Sequence, residues 1–163
     1  MKWSPSSDSI YKGNFDVAFF DASGYAGIGV VFCDFQGQII TVLSHKIPLV
    51  QLMELAEAMA ACRAMVFAKE LSLFDVEIEG DCSRVITTLN MLRRCGTLFG
   101  HVIDDCKSLG VSLQSCKFNH VRQEGNRSAH ALASRAVLSI DTDAWVESLP
   151  SDLDSVFQSD SFQ

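Results

Sequence analysis

An α/β fold built on one mixed sheet follows from two features of this 163-residue sequence. Three consecutive strand-like segments open the chain. After them, helical periodicity alternates with short apolar strands. A meander followed by β–α units gives a single mixed sheet with helices packed on it, in the order β-β-β-α-β-α-α-β-α.

Residues 14–22 (NFDVAFFDA) form the first strand candidate. Gly24 separates it from the β-branched run AGIGVVFCDF at 26–35, and QIITVLSHKI at 38–47 resumes the pattern after the turn residues Asp34-Phe35-Gln36-Gly37. Residues 50–71 change period. Leu52, Leu55, Met59, Cys62 and Val66 recur at steps of three and four, which marks an amphipathic helix. Residues 76–79 are a short strand ended by Gly80, and Asp81 is placed to cap a helix to about Arg94. Residues 100–109 read as a second short helix, and 111–121 alternate as a strand. Asn126 is placed as the N-cap of a last helix to about Leu138.

Composition excludes several classes. Apolar residues are 48% and charged residues 20%, close to the globular average, which excludes a disordered chain, a coiled coil and a collagen-like repeat. No apolar run approaches the roughly 20 residues that span a bilayer. The start, Met1-Lys-Trp-Ser-Pro5, has no apolar stretch after its charge and is not Arg-rich. Neither a signal nor a transit peptide is expected, which puts the protein inside the cell, in nucleus or cytoplasm. We expect a polar lead-in at 1–11, one domain at 12–150 and an acidic flexible tail at 151–163. A monomer without membrane contact is the expected state.

Net charge is −7. Six acids after residue 138, Asp141, Asp143, Glu147, Asp152, Asp154 and Asp160, meet no Lys or Arg there. They leave residues 1–138 with 14 acids against 13 bases, so the imbalance belongs to the C-terminal region. A near-neutral body can carry a local basic patch, but its charge does not by itself demonstrate nucleic-acid binding. The six cysteines include no C-x-x-C pair, so zinc-finger and thioredoxin-type sites have no support. Buried free thiols in a reducing compartment are the expectation.

Three acids stand in unusual places. Asp16 is in the middle of the first strand, where carboxylates are disfavoured. Glu57 shares a helix face with Met53, Ala60, Ala61 and Ala64, a face small enough to approach a sheet closely. Asp81 follows the fourth strand, at the end where open α/β sheets build sites. If strands one and four are neighbours, the three carboxylates converge. Clustered carboxylates repel unless a cation neutralises them, and oxygen-only clusters suit Mg²⁺ or Mn²⁺. Two such ions, about 4 Å apart, support in-line attack of water on a phosphodiester. Each acid also has a plain reading: a cap for Asp81, a solvated position for Glu57, an edge or bulge for Asp16. Asp21 and Asp34 read as turn residues.

Several segments then carry a resemblance. They are Trp3-Ser-Pro5, Lys12-Gly-Asn-Phe-Asp16-Val-Ala18, AGIGVVFCDFQGQII at 26–40, AEAMAACRAMVFAKELSL at 56–73, IEGD at 78–81, FGHVIDDCKSL at 99–109 and NHVRQEGNRSAHALA at 119–133. Together they resemble the plant RNase H-like domain of reverse-transcriptase-derived proteins, a branch of type 1 ribonuclease H, over about residues 3–150. The resemblance implies a five-stranded mixed sheet in the order 3-2-1-4-5 with helices on both faces. It also implies hydrolysis of the RNA strand of an RNA–DNA hybrid, leaving 3′-hydroxyl and 5′-phosphate ends.

Carried over by position, Asp16, Glu57 and Asp81 match the family's first three metal ligands, for Mg²⁺ (or Mn²⁺). His120 matches the histidine thought to assist proton transfer or product release. Two positions depart. The family's Asp-Gly-Ala is Asp16-Val17-Ala18, and the fourth acid of its N-x-x-A-D motif is His130. Imidazole is a poor ligand for Mg²⁺ and an acceptable one for Mn²⁺. His130 therefore weakens a second metal, acts through water, marks lost activity, or is a bland surface residue. A weakened module that binds RNA–DNA hybrid or double-stranded RNA is the alternative function. Contacts to the 2′-hydroxyl are expected from Asn14, Ser83 and Asn90, and to phosphates from among Arg84, Arg93, Arg94, Arg122 and Arg127.

Overall fold

A computed structural model of the chain describes residues 10–91, 100–146 and 150–159. The elements are β1 (Tyr11–Phe20), β2 (Tyr25–Cys33), β3 (Ile39–Pro48), α1 (Met53–Glu70), β4 (Asp75–Gly80), α2 (Ser83–Leu89), α3 (Gly100–Val111), β5 (Ser115–His120), α4 (Arg127–Arg135), β6 (Thr142–Val146) and α5 (Asp154–Ser159). One sheet runs in the order β5-β4-β1-β2-β3-β6. β1, β2, β3 and β6 pair antiparallel, while β4 runs parallel to both β1 and β5. The expected order 3-2-1-4-5 is present, and helices cover both faces.

The sheet has six strands rather than five. β6 adds beyond β3, pairing Thr142–Val146 with Thr41–His45. Its five residues carry only alternate burial, and Asp143 interrupts the apolar pattern, so an edge strand paired on one side left a weak signal. Other boundaries shift. β1 begins at Tyr11, inside the expected lead-in, and Trp3-Ser-Pro5 lies outside the described residues. α3 runs on to Val111, and β5 starts only at Ser115. α2 ends at Leu89, while Arg93 and Arg94 fall outside the described residues. Asp34 does build its turn, since its carboxylate accepts the N–H groups of Gln36 and Gln38.

Two cores result from the alternation of the strands. On one face Phe15, Ile28, Val30, Phe32 and Ile78 pack against α1, α2 and α3. α1 meets this core with Ala56, Ala60, Ala61, Ala64, Met65 and Ala68, all buried, while Leu55, Met59 and Cys62 are half-buried beside it. On the other face Val31, Cys33 and Val42 pack against Ala129 and Leu132 of α4 and Phe157 of α5. Residues 150–159, expected within or beside a flexible tail, instead form a turn and α5. Phe157 is 8% exposed. Arg135 holds this segment by pairing with Asp152 (Nε–Oδ2 3.0 Å) and with Asp143 of β6, its guanidinium 4.7 Å from the Trp145 ring.

α4 lies unusually close to β2 because Gly27 and Gly29 face it. A Cβ on Gly29 would meet the Ala129 carbonyl oxygen at 2.0 Å, and one on Gly27 the Ala133 carbonyl oxygen at 2.0 Å. These obstacles are backbone, so no side chain can rotate away. Gly29→Ala is therefore expected to lower unfolding free energy by about 3 kcal/mol, read from the urea midpoint at constant slope. An unchanged midpoint would show that α4 shifts freely.

Candidate active site

Asp16 sits in β1 opposite Gly29 of β2, on the face that receives α4. β1 is hydrogen-bonded to β4, so the end of β4 brings Asp81 alongside. The tight packing of Gly80 on the Phe15 ring, 2.4 Å from a notional Cβ, fixes that end of the strand. α1 crosses the opposite face and delivers Glu57. One carboxylate oxygen from each of Asp16, Glu57 and Asp81 lies within 4.8 Å of the others. The expected convergence is thus present. The plain reading of Asp81 is not: the N-cap of α2 is Cys82, and no side chain caps it.

Asp16 is 5% exposed and Glu57 6%. Burial and then the Asp81 charge raise the Asp16 carboxyl from 3.8 to about 6, against the opposing hydrogen bonds from Val17 N–H (2.9 Å) and His130. Burial, then Asp16 and Asp81, raise Glu57 from 4.5 to about 8. Glu57 Oε2 has no hydrogen-bond partner among the described residues. A buried, unpartnered carboxylate oxygen beside two further carboxylates is a donor set for a hard divalent cation.

Without an ion this arrangement costs stability. The folded chain keeps protons on Asp16 and Glu57 that the unfolded chain has lost. The resulting stabilisation is full below about pH 4 and is lost as pH rises through about 6 and 8. The Tm of chelator-treated protein is expected to fall across that window, and Mn²⁺ to restore it at the alkaline end. A flat profile would remove the electrostatic account.

His130, on the first turns of α4, places Nδ1 2.9 Å from Asp16 Oδ2. His120, at the end of β5, has Nε2 3.1 Å from the Asp81 main-chain oxygen. Both line a cleft of about 600 Å³ together with the three acids, Val17 and Arg122. A neighbouring hollow of about 620 Å³ shares Asp16 and His130 and is walled by Arg127 and by Val156 of α5.

The residues expected to touch substrate are placed differently. Asn14 is 2% exposed, and its amide nitrogen is divided between Glu79 (3.2 Å) and Asn126 (3.1 Å). Asn90 is exposed and donates to the Phe118 carbonyl, tying α2 to β5. Ser83 is exposed at the start of α2. Arg84 pairs with Glu54.

Asn126 was read only as a cap. It holds the N-cap position of α4, but its side chain makes no capping bond and instead donates to the Phe15 carbonyl (2.9 Å). It thereby fastens the start of α4 to the strand that carries Asp16. The alternation of Lys12, Asn14 and Asp16 along β1, three polar groups on one strand face, was the available signal for such a partner.

The reverse transcriptase-like family model matches residues 14–136. No curated protein matches the chain. Among solved structures, ribonuclease H1 from the halophilic archaeon Halobacterium salinarum NRC-1 is 23% identical with a TM-score of 0.72, over 78% of this chain and 97% of that one. The N-terminal ribonuclease H domain of a Mycobacterium tuberculosis protein is 15% identical with a TM-score of 0.70, over 81% and 96%. LC11 ribonuclease H1, solved with an RNA/DNA hybrid, is 21% identical with a TM-score of 0.66, over 78% and 96%. With the sheet order, the convergent acids and these matches in hand, the chain belongs to the reverse transcriptase-like family and folds as a ribonuclease H-like domain.

Proposed function

We propose that the protein is a divalent-metal-dependent endoribonuclease that cleaves the RNA strand of RNA–DNA hybrids, acting as a monomer on nucleic acid. The observation that carries this reading is the meeting of Asp16, Glu57 and Asp81 within 4.8 Å at the open end of the sheet. Mg²⁺ or Mn²⁺ is the cation this donor set suits. When bound it supplies Lewis acidity and an acidified water for attack on a phosphodiester. Asp16 and Glu57 would hold it from the buried side and Asp81 from the rim. His120, beside the Asp81 main chain, is placed to pass a proton to or from the cleft, and Arg122 to meet a phosphate. Ser83 and Asn90 stay as candidate substrate contacts on the exposed surface of α2. Asn14 more readily positions the start of α4 than reads a ribose. No helix among the described residues is long and apolar enough to cross a membrane.

A second reading is a module that binds hybrid or double-stranded RNA and cleaves it weakly. The His130–Asp16 contact favours it, because an imidazole engages one oxygen of a carboxylate that would hold the cation. Val17, lining the cleft where the resembling family has glycine, favours it too. An end-labelled RNA–DNA hybrid incubated in Mg²⁺ and, separately, in Mn²⁺ separates the readings. Internal cleavage with 3′-hydroxyl products supports the enzyme. Retained binding with no cleavage in either ion supports the module.

A further inference from the structure

The sulfur atoms of the core are not evenly distributed. Cys62 on α1 and Cys106 on α3 face one another where those helices pack. Cys106 Sγ lies 3.8 Å from the Ala58 carbonyl oxygen, one turn before Cys62, which makes the two thiols neighbours across the helix contact. Cys106 is fully buried, whereas Cys62 is partly open to solvent. Cys116 Sγ is 3.4 Å from the Met65 thioether, which cannot form a disulfide. Cys33 lies in the opposite core, and Cys82 lines the carboxylate cleft.

We propose that Cys62 and Cys106 are a modification site that closes to an intramolecular disulfide when the protein meets a small-molecule disulfide such as oxidised glutathione. Their environments assign the two roles. The neighbouring Cys106 thiol and, more weakly, the Arg63 charge lower the Cys62 thiol, against its burial and Asp105. The neighbouring Cys62 thiol and burial push Cys106 up. Cys62, the thiol a small disulfide can reach from solvent, is the attacking group, and the buried Cys106 is the resolving thiol. The Cys62 thiolate attacks one sulfur of the small disulfide, forming a mixed disulfide and releasing one thiol. Cys106 loses its proton, attacks Cys62 Sγ and expels the second thiol. Two electrons and two protons pass from the cysteine pair to the small disulfide, which leaves as two thiols. The bond straps α1 to α3 across the chain that holds β4 and α2, and so constrains the unfolded state.

The test uses the full chain with reduced and oxidised glutathione, read by thiol counting, mass spectrometry of peptides and Tm. The expected outcome is loss of two of the six thiols, a cross-linked peptide joining 62 to 106 and a raised Tm that dithiothreitol reverses. Cys106→Ser should stop at a glutathione adduct on Cys62. An unchanged thiol count, or a cross-link joining any other pair, overturns the proposal. The wild-type peptide map decides this even if the variant folds poorly, and it is independent of any nuclease activity.

Discussion

Asp16→Asn should abolish hybrid cleavage while leaving hybrid binding and the fold in place. Asparagine has nearly the same shape and keeps an acceptor for the Val17 N–H, so β1 loses no main-chain contact. It removes the charge at the centre of the three-acid cluster. Loss of an outer partner of a metal site commonly costs ten- to a hundredfold, so loss of a direct ligand should cost more, about a thousandfold in kcat. The ion-free protein should gain stability at neutral pH, because a buried carboxylate that resists ionisation has been replaced by a neutral group. Reduced turnover with a raised Tm separates this cause from unfolding. Turnover equal to wild type would remove Asp16 from the chemistry and with it the proposed reaction.

His130→Asp should raise cleavage in Mg²⁺ about tenfold and narrow the preference for Mn²⁺. An oxygen donor at this position suits the harder ion, whereas imidazole suits the softer one. The substitution breaks the 2.9 Å contact between the imidazole and Asp16 Oδ2. It also adds a fourth carboxyl group to a cluster of acids that already resist ionisation, so the ion-free Tm should drop. The same rate in Mg²⁺, with the Tm drop present, would show that position 130 does not serve the ion.

The sequence made the strand order and the three acids legible for a shared reason. Asp16 interrupts an apolar strand, Glu57 interrupts an alanine face and Asp81 follows a glycine at a strand end. Each is a local conflict between residue type and place, and such conflicts tend to collect at functional positions. The periphery was less legible. β6 carries too few apolar residues to distinguish an edge strand from a loop. Phe157 sits among Ser, Asp and Gln, and only the gap between α4 and the Val31–Val42 face explains its burial. Asn126 stands at the N-cap the sequence indicates, but its side chain bonds β1 rather than the helix; capping and long-range bonding use the same residue type, and the choice depends on how close β1 lies. Asn14 was expected as a substrate contact; the fold encloses it, a placement that its position on an apolar strand did not reveal.

The clasp at Arg135 bears on where this domain can be cut. The family match stops at residue 136, one residue past that arginine, whereas the side chains that cover the outer flank of α4 come from residues 145, 153 and 157. A fragment trimmed to the matched segment would bare Val31, Val42 and Leu132 to water and leave Arg135 without either aspartate. Exposing the pocket that one phenylalanine fills costs roughly 2–3 kcal/mol. The helix bearing His130 would then be held from the strand side alone, so a fragment ending at residue 136 is expected to be less stable than one that reaches residue 157.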